Sequence, residues 1–179
     1  MNIALFNVTN LVDKNPGCRA TVDGLKKAIS TEFTYQFPLG FGYEYFLEKK
    51  GLFSNFNTFS KAYSRFKNNK DYQRIIKTSD CIVINSEGTI HSDSIGAKTL
   101  LAFAKLGKEY KKKVYLVNGS YFNLSDELLE IIRMCDAVFS RETISHHYLL
   151  KNKIESTLVP DCAFLTKFEN KDKVLKSCL

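Results

Sequence analysis

A carboxylate and an imidazole stand close together in Ser86-Glu-Gly-Thr-Ile-His91, as Glu87 and His91. Both side-chain types act as general acids and bases, so the pair reads as a proton-transfer couple. They follow a continuous apolar run, Cys81–Ile84, that stops at Asn85. A buried strand emptying into a loop of small, acidic and imidazole-bearing residues places reactive groups at the carboxyl edge of an open α/β sheet, where ligands sit. Gly88 supplies a turn there and Thr89 a hydroxyl. Taken singly, Glu87 is an ordinary solvated acid and His91 a helix cap. Behind a buried strand, and beside Gly88, the catalytic reading is favoured.

Three further loops follow candidate strands in the same way. Asn7-Val-Thr-Asn10 runs on to Asn15-Pro-Gly-Cys-Arg-Ala20. Pro16-Gly17 is turn chemistry, and the amides opening the next helix form an anion-friendly site. Arg19 near that helix start opposes the dipole unless an anion is at hand. In Asn118-Gly-Ser-Tyr121, Gly119 permits close backbone approach, while Asn118 and Ser120 offer neutral hydrogen bonds to a hydroxylated ligand. In Ser140-Arg-Glu-Thr-Ile-Ser145, Arg141 ends a strand, where its guanidinium suits a carboxylate or phosphate. Its bland alternative is an ion pair with Glu142 or Asp136. Asp161, in Pro160-Asp161, either caps the next turn or binds a sugar hydroxyl. His146 and His147 read as surface residues. They lack the spacing or third ligand of a metal site, so neither a metal nor a cofactor is expected.

The elements that must position these groups alternate along the chain. Strand-like runs are Ile3–Val8, Phe33–Phe37, Cys81–Asn85, Val114–Val117, Ala137–Ser140 and Ser156–Val159. Helical stripes lie between them: Val22, Leu25, Ala28 and Ile29; Ala97, Leu100, Leu101 and Ala104; Leu128, Ile131, Ile132 and Cys135. Ser125 is placed to cap the third stripe. A short fourth helix is predicted from Thr143 to Leu150, and Lys111–Lys113 read as the basic end of a helix. This alternation predicts a Rossmann-like α/β domain over residues 1–179, with a mainly parallel sheet covered on both faces. Strand order does not follow from it. Residues 38–77 break the rhythm as an aromatic and basic segment. Phe53, Phe56, Phe59, Tyr63 and Phe66 recur at helical spacing, which predicts a helix burying its aromatic side on the sheet. Contact with an anionic membrane surface is the second reading of that segment.

A charged fraction of 25% and an apolar fraction of 44% exclude a disordered chain. A formal charge of +7 favours anionic partners. No recognised nucleic-acid module is present, so nucleic acid is not expected. No leader or membrane-spanning run is legible, which predicts a cytoplasmic protein. Five scattered cysteines give no disulfide framework.

Read in order, Asn15-Pro-Gly-Cys-Arg-Ala-Thr21, Ile84-Asn-Ser-Glu-Gly-Thr-Ile-His91, Asn118-Gly-Ser120, Ser140-Arg-Glu-Thr-Ile-Ser145 and Val159-Pro-Asp-Cys-Ala-Phe164 resemble the N-terminal half of the polysaccharide pyruvyl transferase family. The resemblance spans nearly the whole chain. It implies one half of a GT-B-like architecture and transfer of pyruvate from phosphoenolpyruvate to a sugar of a cell-surface polysaccharide. The partners it implies are phosphoenolpyruvate and a glycan or lipid-linked sugar acceptor, met at the inner membrane face, in a homo-oligomer or beside a second subunit. It also implies roles. Glu87, His91 and Arg141 would be catalytic. Asn10, Gly17, Arg19, Gly88, Thr89, Asn118, Gly119, Ser120, Ser145 and Asp161 would bind substrate. Ser86 stands where the family usually has glycine. Family members run to roughly twice a single-domain length, so a truncated or split member is the expectation. A sugar-nucleotide glycosyltransferase domain and a non-catalytic subunit of glycan assembly are the alternatives.

Overall fold

The computed structural model describes residues 1–8, 15–29, 35–37 and 58–166. Six strands share one sheet: β1 (Ile3–Phe6), β2 (Tyr35–Phe37), β3 (Cys81–Glu87), β4 (Lys113–Gly119), β5 (Ala137–Ser140) and β6 (Thr157–Leu158). Every neighbouring pair is parallel, in the order β2-β1-β3-β4-β5-β6. Parallel neighbours cannot be joined by tight hairpins, so helices carry the connections. α1 (Pro16–Ile29) follows β1, and α2 (Phe59–Lys67) and α3 (Lys70–Thr78) precede β3. α4 (Ile95–Glu109), α5 (Asp126–Arg133) and α6 (Thr143–Lys151) link the later strands, and a 3-10 turn, Cys162–Leu165, follows β6. The fold is α/β and Rossmann-like.

Side-chain alternation along the strands makes two cores. Ala4, Phe6, Ile82, Ile84, Val114 and Leu116 pack with Phe59, Phe66, Phe103, Leu128 and Leu149 from the helices on one face. Ile3, Leu5, Cys81 and Val83 point the other way and pack with Val22 and Leu25 of α1. Gly24 lets the 3-10 turn close onto α1, because a Cβ there would fall 1.7 Å from the Cys162 carbonyl oxygen. Asp136 locks the start of β4 to that of β5. Its carboxylate takes the Val114 N–H at 2.9 Å, Lys108 Nζ at 2.6 Å and Lys113 Nζ at 2.9 Å.

Several elements differ from their sequence-based expectation. β3 continues through Asn85, Ser86 and Glu87, and β4 through Asn118 and Gly119. The polar strand ends pair in the sheet instead of opening loops, with Asn85 opposite Val117 and Glu87 opposite Gly119. Lys111–Lys113 do not end a helix. Tyr110 caps α4, Lys111 turns at φ 56, and Lys113 opens β4. The aromatic segment is two helices where described. Asn69 Oδ1 accepts the Asp71 and Tyr72 N–H groups and starts α3 afresh. Phe59 and Phe66 are buried as expected, and Lys105 lies over the rings of Phe59 and Tyr63. Phe53 and Phe56 lie outside the described residues. Ser125 precedes α5 without a side-chain cap, since its own N–H is spent on Asp93. No helix among the described residues is long and apolar enough to cross a membrane.

Candidate functional site

The strand order reverses at β1, whose neighbours are β2 on one side and β3 on the other. In open α/β sheets such a reversal leaves a crevice beyond the carboxyl ends of the strands, where ligands bind. At this edge β1, β3 and β4 each end in the left-handed region, at Asn7 (φ 63), Glu87 (φ 40) and Asn118 (φ 54). Such a conformation is tolerable for asparagine and uncommon for glutamate, so three neighbouring strands store strain at one edge. All three residues are buried. Asn7 Nδ2 donates to the Asn85 carbonyl at 2.7 Å and to Thr89 Oγ1 at 3.4 Å. Asn85 Nδ2 returns a bond to the Asn7 carbonyl at 3.2 Å and reaches Glu87 Oε1 at 3.1 Å. Asn7 Oδ1, Asn85 Oδ1 and Asn118 Nδ2 are buried without a hydrogen-bond partner. Orphaned polar atoms of this kind are costly, and they mark residues retained for something besides stability.

Arg141 forms the second part. It opens the β5–α6 loop, with its N–H on the Gly119 carbonyl at 3.0 Å. Its Nε donates to Ser120 Oγ at 2.9 Å and its Nη1 to Asp161 Oδ2 at 2.9 Å. The partner is therefore Asp161, not Glu142 or Asp136. Asp161 also caps the 3-10 turn through the Ala163 N–H at 2.9 Å. The guanidinium is about a quarter exposed, at 26%. Nη2 has no protein partner and lies near Gly88, where a Cβ would come within 3.6 Å of it. Ser120 N–H bonds the Glu87 carbonyl at 2.7 Å, so the carboxylate and guanidinium loops share one hinge residue.

The other residues singled out in the sequence take varied places. His91 stacks on Phe122, with ring centroids 4.7 Å apart, and its Nδ1 is buried without a partner. The Ser92 N–H bonds the Phe122 carbonyl, which ties the β3–α4 loop to the β4–α5 loop a second time. Gly17 lies inside the first turn of α1, its N–H on Asn15 Oδ1, and Arg19 is exposed one turn in. No printed contact joins Arg19 or His91 to Arg141. Gly119 makes its close approach to the buried Tyr121 ring, 2.2 Å from a Cβ built there. Ser145 is fully buried, accepting the Tyr121 N–H at 2.7 Å and donating to Glu142. Asn118 Oδ1 accepts the Cys162 N–H. His146 is bound through Nδ1 to Ser156. Asn10 lies outside the described residues. Burial, with Asp161 adding to it, raises the Cys162 thiol, which keeps it protonated beside this edge and unsuited to nucleophilic attack.

A family model for polysaccharide pyruvyl transferase matches residues 15–177, which takes in α1, all of β3 to β6 and the whole Arg141 cluster. The chain belongs to the polysaccharide pyruvyl transferase family. No curated protein and no solved structure gives a match.

Within this pyruvyl transferase family member, the sequence reading overlooked Asn7 and Asn85. Asparagine is a common loop residue, and nothing local marks these two. The usable signal was the abrupt polar stop at Asn85 after four apolar residues, paired with the equivalent stop at Asn7 after β1. Across the edge as a whole, donors gather around Arg141 and acceptors around Asn7, Asn85 and Glu87. Such a polarised edge can hold an anion on one side and a hydroxyl-bearing molecule on the other.

Proposed function

We propose that this family member binds phosphoenolpyruvate through Arg141 and transfers its pyruvyl group to a sugar of a polysaccharide or lipid-linked glycan. The observation that carries the reading is the Arg141 guanidinium, held in plane by Asp161 and Ser120 with Nη2 left for an anion. Phosphoenolpyruvate offers only acceptor oxygens, which suits that fork.

Ketal formation sets the remaining tasks. Protonation of the methylene carbon makes the neighbouring carbon oxocarbenium-like, and a sugar hydroxyl adds there as it loses its proton. A second hydroxyl then displaces phosphate, so one carbon–oxygen bond breaks as the second ketal bond forms and inorganic phosphate leaves with the proton. Glu87, or His91 across the same edge, exchanges the protons. Arg141 stabilises charge on the departing phosphate or on the carboxylate. The reading sets the chain in the cytoplasm, with Lys61, Arg65, Lys67, Lys70, Arg74 and Lys77 on the outer surface of α2 and α3 meeting anionic headgroups at the inner membrane face.

The test is phosphate release from phosphoenolpyruvate in the presence of sugar acceptors, with ligand-induced stabilisation as an independent measure. Phosphoenolpyruvate should raise the melting temperature, and Arg141→Ala should abolish both effects. Full turnover by Arg141→Ala would remove this residue from the mechanism. Stabilisation by a nucleotide sugar in place of phosphoenolpyruvate would instead make the chain a glycosyltransferase domain.

A further inference from the structure

We propose that Asn85, braced by Asn7, is the positioning residue that fixes the Glu87 carboxylate at the crevice between β1 and β3. The inference rests on the reading of Glu87 as a proton-transfer group.

Asn85 is fully buried at the polar end of β3, beside Asn7. Their side chains exchange hydrogen bonds with each other's backbone carbonyls, at 2.7 and 3.2 Å. This reciprocal pair stitches the two strands together just where the left-handed turn at Asn7 interrupts the ladder. The same Asn85 amide sends its second donor to Glu87 Oε1. One side chain thus references the carboxylate directly to the backbone of the neighbouring strand.

Stability alone does not account for this arrangement. Asn85 Oδ1 and Asn7 Oδ1 both remain buried with no donor. An apolar side chain in either place would remove an unsatisfied acceptor, the kind of group whose loss is often neutral or stabilising. Glu87 is meanwhile held at φ 40, with its carbonyl on the Ser120 N–H. Backbone and side chain are fixed from opposite sides, by Ser120 and by Asn85. A carboxylate fixed in this way is pre-set for proton transfer, and small misplacements of such groups are costly in rate.

Two measurements on the full chain decide the matter. In a ¹⁵N spectrum, the Asn85 side-chain amide is assigned by its loss in Asn85→Leu. Glu87→Gln should move that resonance and speed its hydrogen exchange, and an unmoved resonance would overturn the proposal. In turnover of phosphoenolpyruvate, Asn85→Leu and the shape-preserving Asn85→Asp should lower kcat roughly 10- to 100-fold. KM for phosphoenolpyruvate should stay unchanged, because Arg141 is untouched. Circular dichroism checks that each variant is folded. Wild-type kcat in a folded variant would refute the positioning role. If the wild-type chain releases no phosphate, the functional reading falls, and the amide resonance alone decides whether Asn85 holds Glu87.

Discussion

Replacing Arg141 by lysine keeps one positive charge at the carboxyl edge and removes the fork. The guanidinium reaches Ser120 through Nε and Asp161 through Nη1, both at 2.9 Å, while Nη2 stays available. An ammonium reaches Asp161 or a ligand oxygen, but it cannot span all three directions. The stability loss is the Ser120 bond plus part of a half-exposed ion pair, about 1–2 kcal/mol together. That corresponds to a fall of roughly 2–8 °C in Tm for a chain of this size. The ligand loss is separate: one charge-assisted bond to the anion, about 1.5–3 kcal/mol. Since every 1.4 kcal/mol is about tenfold, phosphoenolpyruvate should bind roughly 10- to 150-fold more weakly. Calorimetric titration at 25 °C, where the variant remains folded, measures the binding, and urea denaturation measures the stability. Wild-type affinity in Arg141→Lys would refute the argument from the fork. So would an affinity loss that vanishes once the unfolded fraction is taken into account.

Other consequences follow from the packing. Burial pushes the Asp136 carboxyl up, but the bonds from Lys108, Val114 N–H and Lys113 outweigh it and hold the group at about 2, below its ordinary 3.8. Its contribution is therefore fully present above pH ~3.8 and lost as pH falls through about 2. Asp136→Asn should cost about 1 kcal/mol near neutrality after solvent screening, a difference that closes in acid denaturation curves below that window. A Gly24→Ala chain should release the 3-10 turn from α1, because the new methyl meets a backbone carbonyl that cannot rotate away. Faster hydrogen exchange over residues 162–165, with the sheet core unchanged, would show it. Gly119→Ala should destabilise the chain by about 1–3 kcal/mol, since the buried Tyr121 ring fills the space its methyl needs. A melting temperature equal to wild type would contradict that packing.

The apolar runs were readable because burial on both faces of a parallel sheet leaves continuous hydrophobic stretches. Cys81–Ile84 and Val114–Val117 are of this kind. What lay beyond them was not readable. Asn85, Ser86 and Glu87 stay in β3 because pairing with β4 and the exchange with Asn7 hold them there, and neither partner is local. The split between α2 and α3 was hidden because aromatic spacing continues across it. Only the cap made by Asn69 reveals the break. Arg141 was picked out by its place after a strand, yet its partner Asp161 lies on the far side of β6 and required the fold. The pairing of Asn7 with Asn85 joins residues 78 positions apart, a separation that no spacing rule covers.

The loops after β3 and β4 are fastened to each other at three heights, through Glu87 with Ser120, Ser92 with Phe122, and Asp93 with Ser125. They behave as one moving part. Transplanting either loop alone into a related scaffold would strand several amides without acceptors, so an exchange meant to alter which sugar is used has to carry both.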